Sequence, residues 1–189
     1  MGLDFSWRFD GWIRRLPTSP KETGRVDGLV LRPEGSGEGE RQRVESAVVV
    51  PESGVEGDRW SASPYATAGN EVSLINTHLL KAISDGDEER GALSGDNLQV
   101  DLDLSEENLP VGTRLLIGGA VLEVSDVEHR PCGSFVERFG KTATKRVARA
   151  NRLGLRGRGV LCHVRVRGEI RVGDQISVER TETQSVISD

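Results

Sequence analysis

The 189-residue chain has few cysteines, few aromatic residues and no long apolar segment. Its two cysteines, Cys132 and Cys162, are too few for the disulfide framework of a small secreted domain. The longest apolar run, residues 115–122, contains two glycines and is far shorter than the ~18–20 residues that cross a bilayer. The N-terminus also lacks the apolar core of a signal peptide. We therefore expect a cytoplasmic protein without membrane contact and, because only 4% of its residues are aromatic, a largely aliphatic core.

Charge is distributed unevenly along the chain. Residues 1–137 hold 13 Lys and Arg against 25 Asp and Glu, a net charge of −12, although the whole chain has a net charge of −5. Residues 138–171 hold 11 Lys and Arg against one acid, a net charge of +10. Such a segment either is simply solvated or binds an anionic partner. Nucleic-acid surfaces usually add stacking aromatics, and only Phe135 and Phe139 lie nearby, so we favour a small anionic ligand over a nucleic acid.

Short β-branched runs separated by glycine-containing turns predict a mostly β fold with a few helices. Strands are expected at four such runs, residues 26–31, 44–50, 72–75 and 160–166. A hairpin is expected to turn at Gly118 and Gly119. Many short strands at this spacing indicate a barrel-like domain.

Two helices are expected within this pattern. Asn76 is placed to cap a helix over residues 77–83, and a basic helix is expected over residues 142–152. We divide the chain into three parts by composition: an aromatic N-terminal extension at residues 1–23, a folded domain at residues 24–180 and a frayed tail at residues 181–189.

Cys132 is the strongest candidate for chemistry. The thiolate is the reactive form of cysteine, and neighbouring cations favour it. Arg130 lies two residues before Cys132 and His129 three residues before it, while Gly133 leaves the sulfur accessible. The competing interpretation is a buried cysteine that acts as a small apolar side chain.

Cys162 lies in an alternating strand and is expected to belong to the core. Zinc could in principle be bound by His129, Cys132, Cys162 and His163. However, successive residues of a strand point to opposite faces of the sheet, so Cys162 and His163 are poorly placed to bind one ion. We therefore favour a core role for Cys162 over a zinc site.

Two glycine-containing loops present polar side chains. The first carries Asp58 and Arg59, and the second ends in Asn97. An Asp-Arg pair of this kind either locks a turn or presents a guanidinium group to an anion. Each loop alone is a weak signal, because Gly-Asp turns are common.

A third loop follows the basic helix. Arg156 and Arg158 flank Gly157 there, an arrangement that can bring guanidinium and main-chain N–H groups close to a phosphate. The loop therefore adds two candidate anion contacts.

Taken together and in this order, these segments resemble the MOSC domain, the module named for the C-terminal part of molybdenum cofactor sulfurase. The resemblance covers about residues 24–180, and each of its pieces is weak alone while the ordered set is specific. The pieces are Gly57-Asp-Arg59, Glu71-Val-Ser-Leu-Ile75, Leu93-Ser-Gly-Asp-Asn-Leu98, Leu109-Pro-Val-Gly-Thr-Arg-Leu-Leu-Ile-Gly118 with Arg130-Pro-Cys132 and Arg138-Phe-Gly140, and Gly168-Glu-Ile-Arg-Val-Gly-Asp174.

The resemblance implies a β-barrel-like fold and one functional cysteine, which falls on Cys132. In the family this cysteine is thought either to ligate molybdenum in bound molybdopterin or to carry sulfur as a persulfide. Stand-alone bacterial members that bind the cofactor look like reductases of N-hydroxylated compounds. Full sulfurases add a pyridoxal-phosphate domain for which this chain has no room, so we expect no pyridoxal phosphate here.

The sequence departs from the common family pattern at two places. Trp60 follows Gly57-Asp-Arg59 where many relatives have histidine, and Gly69-Asn-Glu71 stands where relatives often have an Arg-Gln pair. Loss of that arginine puts one anion contact in doubt.

Three functions stay open at this point. The first is a molybdenum-cofactor-dependent oxidoreductase with Cys132 on the metal, which would need an external reductase. The second is a sulfur carrier with a persulfide on Cys132, supplied by a cysteine desulfurase. The third is an anion or nucleic-acid binding protein. For the first two, the expected anion contacts are Arg130, Arg59, Arg156 and Arg158, and Asp58 and Asn97 would shape the pocket.

Overall fold

The computed structural model describes residues 11–37 and 39–180. The strands in these residues are β1 (Thr23–Leu31), β2 (Gln42–Val44), β3 (Ser46–Val50), β4 (Gly54–Val55), β5 (Val72–Asn76), β6 (Leu98–Asp101), β7 (Arg114–Ile117), β8 (Ala120–Val124), β9 (Val160–Val166), β10 (Gly168–Arg171) and β11 (Gln175–Glu179). The helices are α1 (Thr77–Ser84), α2 (Glu88–Ala92) and α3 (Gly133–Arg152), and residues 11–13 add a short helical turn.

Seven strands close into a barrel in the order β1, β6, β5, β9, β8, β7, β11, with β11 pairing back to β1. β2 extends the sheet beyond β1, and β10, β3 and β4 form a separate small sheet. The β5–β6 pair is parallel and is connected through α1 and α2, as a parallel crossover requires. The predicted mostly β, barrel-like fold is confirmed.

Two apolar clusters stabilise this architecture. Aliphatic side chains fill the barrel, among them Leu74, Leu98 and Leu122, and none of these three is more than 1% exposed. Phe135 and Phe139 stack 4.7 Å apart in a second cluster beneath the helices. The barrel core is aliphatic, as predicted, and the buried aromatic rings lie outside it.

Local patterns predicted the hairpin and the first helix correctly. β7 and β8 pair across the Gly118-Gly119 turn. The Asn76 side chain accepts hydrogen bonds from the main-chain N–H groups of His78 and Leu79, so it caps α1 as expected.

The basic helix begins earlier than predicted, at Gly133 instead of residue 142. Gly140 interrupts it with φ 80° and ψ 167°, a conformation that favours glycine and divides the helix in two. The first half was missed because it is short and owes its stability to the burial of Phe135 and Phe139, which only the folded chain provides.

The described part of the N-terminal extension packs on the helices. Trp12 and Leu16 contact the second apolar cluster, and the Arg146 guanidinium lies 4.9 Å from the Trp12 ring centroid. Phe5, Trp7 and Phe9 and the predicted tail at residues 181–189 lie outside the described residues, so the three-part division stays a prediction. Where the structure describes the chain, it contains no helix with the length and apolar character of a membrane span.

Candidate functional site

The two cysteines occupy opposite environments. Cys132 is exposed and lies immediately before α3, where its side chain makes no capping hydrogen bond. Cys162 lies inside the barrel, and burial raises the pKa of its thiol to about 12. Among the described residues, no group of three or more His, Cys, Asp or Glu could hold a metal ion, so the four zinc candidates do not converge. Accessible thiol chemistry is therefore confined to Cys132.

Asp58 is the centre of a buried polar group near the end of β1. Its carboxylate accepts hydrogen bonds from the Arg32 guanidinium at 2.8 Å, from the Trp60 main-chain N–H at 2.9 Å and from Asn97 Nδ2 at 3.2 Å. Asn97 Oδ1 in turn accepts from the main-chain N–H and hydroxyl of Ser73, each at 3.2 Å. Asp58 and Asn97 thus connect three loops by hydrogen bonds. They shape the site by holding these loops in place.

Four guanidinium groups gather around this framework, from Arg32, Arg41, Arg59 and Arg138, which we call the arginine cluster. Burial, followed by the positive charges of Arg138, Arg32 and Arg59, lowers the pKa of Arg41 to about 10, and Asp58 opposes this effect. Arg59 donates to the Gly37 carbonyl at 3.1 Å and Arg138 to the Leu93 carbonyl at 3.1 Å. A bound anion would relieve the mutual repulsion of these cations.

Sequence reasoning found Arg59 but not Arg32, Arg41 or the contact role of Arg138. The sequence indicates Arg138 only as part of the Arg138-Phe-Gly140 motif. Arg32 and Arg41 stand at either side of a polar Gly/Glu loop, where nothing in the local pattern distinguishes them from ordinary surface charges.

His129 connects the arginine cluster with the segment that carries Cys132. Its side chain is 15% exposed, and its Nδ1 lies 3.8 Å from Asp96 Oδ1. Burial, and then the positive charges of Arg158 and Arg32, hold the pKa of His129 well below its usual range. Arg32 therefore lies close enough to influence both Arg41 and His129, and His129 is a neutral imidazole at neutral pH.

This neutral histidine makes stability depend on pH. Because the folded-state pKa of His129 is depressed, the unfolded chain takes up a proton below about pH 6.5 while the folded chain does not. We expect the free energy of unfolding to fall between pH 7 and pH 5 by up to about 1.4 kcal/mol per pH unit from this residue. Urea unfolding of wild type and His129→Gln at several pH values measures it. Equal pH dependence in the two proteins would show that His129 titrates normally.

Arg158 is buried and occupied by partners within the protein. Its Nη1 lies 2.7 Å and 2.6 Å from the two carboxylate oxygens of Asp96, and its Nη2 donates to the Ser94 carbonyl at 3.0 Å. Its guanidinium carbon lies 4.9 Å from the Phe135 ring centroid. The residue predicted from sequence to contact an anion is therefore part of the framework behind Cys132.

Arg156 and Arg130 have partners outside the arginine cluster. The Arg156 guanidinium donates to the Leu109 carbonyl at 2.6 Å, and Arg156 lines a cavity of about 360 Å³ that His129 and Asn151 also line. Glu106 and Asp126 line the same cavity. Arg130 has a side chain that is 75% exposed and pairs with Glu128 on the surface. The structure thus brings Asp58, Arg59 and Asn97 together around the arginine cluster, places Arg158 beside His129, and gives Arg156 and Arg130 other partners.

The basic segment does not form one continuous cationic face. Several of its arginines form ion pairs: Arg165 with Glu123 and Arg167 with Glu56 from the acidic remainder of the chain, and Arg171 with Glu169 of the segment itself. Another, Arg146, lies over the Trp12 ring. The net charge of the segment is therefore distributed over several separate contacts, whereas the arginine cluster brings four positive charges together around Asp58.

The two departures from the family pattern have partners of their own. Trp60 Nε1 donates to Asn70 Oδ1 at 2.8 Å, and Glu71 Oε2 accepts the main-chain N–H of Val164 at 2.8 Å. Glu71 is buried, and its Oε2 lies 3.7 Å from His163 Nδ1. At these positions the side chains of Trp60 and Glu71 therefore hold the framework of the fold.

The fold matches solved structures over most of the chain. YuaD from Bacillus subtilis is 20% identical with a TM-score of 0.60, and the match covers 85% of this chain and 97% of YuaD. YiiM from Escherichia coli is 19% identical with a TM-score of 0.55, and the match covers 83% of this chain and 70% of YiiM. A search of curated proteins finds no match.

YiiM from Geobacillus stearothermophilus has the same fold at 12% identity, with a TM-score of 0.55 and coverage of 85% of this chain and 77% of that one. Identities this low establish the architecture alone. A family model extends the comparison to the sequence itself, because the MOSC domain model matches residues 55–177, which is more than half of the chain. The chain therefore belongs to the MOSC domain family.

Proposed function

We propose that this protein binds a molybdenum cofactor, with Cys132 as the ligand to the metal and the arginine cluster as the site for the anionic part of the cofactor. The observation that carries the proposal is an exposed thiol at the start of α3 together with four guanidinium groups that gather around Asp58, one of which, Arg138, lies on the same helix. A thiolate is a soft ligand that suits molybdenum, and guanidinium groups suit a phosphate.

The residues present fit such a group. Arg41 lies in a partly buried site where its positive charge is disfavoured by three like charges, which a phosphate would offset. Asp58 and Asn97 hold the surrounding loops through buried hydrogen bonds. When bound, the cofactor would supply two-electron transfer at its metal, and the protein would contribute an accessible sulfur ligand, a neutral His129 and a positively charged wall.

The family resemblance makes reduction of N-hydroxylated compounds the reaction we propose for the loaded protein. No flavin or haem motif is evident in the sequence, so such a reaction would draw electrons from an external reductase. The basic loop residues predicted as anion contacts have a smaller part in this proposal, because Arg156 and Arg158 are held by partners within the fold.

Sulfur carriage is the second candidate, favoured by the exposure of Cys132 and by the absence of a capping hydrogen bond from its side chain. A persulfide would form when a sulfur atom is transferred to the thiolate from a donor persulfide, which leaves as a thiolate. A cysteine desulfurase is the class of enzyme that carries such a donor. Nucleic-acid binding is less well supported, because the basic segment is divided among ion pairs.

Replacing Cys132 by serine should abolish loading. The measurement is native intact mass after purification without oxygen, for wild type, Cys132→Ser and Cys162→Ala. We expect a molybdopterin-sized addition on wild type and on Cys162→Ala, and none on Cys132→Ser, because only Cys132 presents an accessible thiol.

The alternatives give distinct masses in the same experiment. A single extra sulfur that reductant removes, present on wild type and lost in Cys132→Ser, would establish the sulfur carrier instead. An addition that survives in Cys132→Ser, or a bare chain in all three proteins, would contradict both functions of Cys132.

A further inference from the structure

The segment between β8 and Cys132 is tied to the opposite end of helix α3. Asn151 lies in the last turn of α3, and its Nδ2 donates to the main-chain carbonyl of His129 at 2.9 Å. His129 is three residues before Cys132, so this hydrogen bond holds the backbone immediately leading to the thiol.

The oxygen of the same amide contacts the main chain of Arg158, which is one member of the buried ion pair. Asn151 Oδ1 accepts the main-chain N–H of Arg158 at 3.0 Å, and the Arg158 guanidinium is bound to the Asp96 carboxylate. A main-chain N–H can only donate and a carbonyl oxygen can only accept, so the two partners determine the orientation of the amide. Asn151 therefore links the Cys132 segment to the residue that forms the buried Asp96–Arg158 ion pair.

The link depends on the break in the helix. Residues 133 and 151 of one straight helix would lie about 27 Å apart along its axis, too far for residue 151 to contact His129. Gly140 has φ 80° and ψ 167°, so the two halves of α3 change direction there. This change of direction allows the end of the helix to return to its own beginning.

We propose that Asn151 is a positioning residue for Cys132: its amide holds the His129–Cys132 segment against the Asp96–Arg158 pair and thereby sets where the thiol is presented. The inference rests on the proposed function in that Cys132 is taken as the reactive group. Asn151 itself touches no reacting atom. Its effect is transmitted through the main-chain carbonyl of His129.

Asn151→Asp is the decisive variant, because a carboxylate can still accept from the Arg158 N–H but cannot donate to the His129 carbonyl. We expect amide exchange of the peptide spanning residues 129–134 to become faster by about fivefold or more, the scale of losing one hydrogen bond of ordinary strength. The rate at which iodoacetamide alkylates Cys132 should also differ between Asn151→Asp and wild type. Asn151→Ala, which loses both bonds without adding charge, is the second variant if Asn151→Asp does not fold.

Asn108→Asp is the matched control. Asn108 is also a buried amide, and its Nδ2 donates to the main-chain carbonyls of Lys21 at 3.0 Å and Asp103 at 2.7 Å, contacts that do not involve the Cys132 segment. It should leave exchange at residues 129–134 and alkylation of Cys132 unchanged even if it lowers the urea midpoint. This comparison separates a local effect on Cys132 from a general loss of stability.

The outcome is independent of whether a cofactor is present. Faster local exchange or altered Cys132 alkylation in the Asn151 variants, beyond the Asn108 control, supports the positioning role even if wild type carries no cofactor. If both measurements match wild type while Cys132→Ser still fails to load, the proposed function stands and the positioning role is wrong.

Discussion

Gly159→Ala should cost at least about 3 kcal/mol of stability, a large part of the roughly 5–15 kcal/mol that holds a domain folded. Gly159 precedes β9 with φ +91°, and a Cβ there would overlap the carbonyl oxygen of Leu74 and lie 2.9 Å from its carbonyl carbon. Leu74 pairs with Val160 in the β5–β9 ladder of the barrel. Relief of the overlap therefore requires separating two paired strands.

Gly112→Ala is the control for this prediction. Gly112 has a similar φ of +87°, but a Cβ there would meet no atom within 4 Å. Its replacement should cost only the strain of a positive φ, about 1 kcal/mol. Urea unfolding of both variants measures the difference. Equal losses of unfolding free energy would show that β5 can move away from the added methyl group without loss of stability.

Arg158→Met should destabilise the protein by about 3–5 kcal/mol, because it leaves the carboxylate of Asp96 buried without its cation. Arg158 and Asp96 have side chains that are 7% and 0% exposed, so water does not replace the lost partner. The double variant Asp96→Leu with Arg158→Met should recover much of this loss, since it removes both charges from the interior.

Arg165→Met is the matched surface substitution. The Arg165–Glu123 pair has a comparable distance of 2.8 Å, but its side chains are 45% and 18% exposed, and Glu123 also pairs with Arg114. We expect a change below about 1 kcal/mol, because exposed ion pairs contribute little. Urea unfolding at pH 7 measures both variants. If Arg158→Met loses as little unfolding free energy as Arg165→Met, the buried Asp96 carboxylate has found another partner.

The groups that we propose to react with or bind a ligand differ from the buried groups that stabilise the fold around them. The exposed thiol and the arginine cluster are the groups that we propose to meet a ligand, whereas Asp58, Asn97 and the Asp96–Arg158 pair are buried and held by hydrogen bonds within the protein. Substitutions in the first group should therefore change binding, and substitutions in the second should first change stability.

Sequence patterns that act over a few residues predicted local structure well. Asn76 caps α1 because a side-chain amide at that position satisfies the first main-chain N–H groups of the helix, which needs no distant residue. The Gly118-Gly119 turn and the alternation in β9 are local in the same sense. The accessibility of Cys132 likewise follows from its neighbours, Pro131 and Gly133.

The partners of the charged residues were decided only by the tertiary structure. Arg156 and Arg158 looked alike in the sequence, yet Arg158 reaches Asp96, 62 residues away, and is buried, while Arg156 reaches the Leu109 carbonyl, 47 residues away. Arg32 and Arg41 lie close to Arg138, about 100 residues away along the chain, so no local spacing indicates their contact. A charge acts through what surrounds it in space, and burial and pairing between distant residues are not encoded in a local pattern. The sequence by itself therefore determined the β-rich fold, the family resemblance and the candidate thiol, whereas the tertiary structure decided which arginines gather around Asp58 and which form contacts elsewhere.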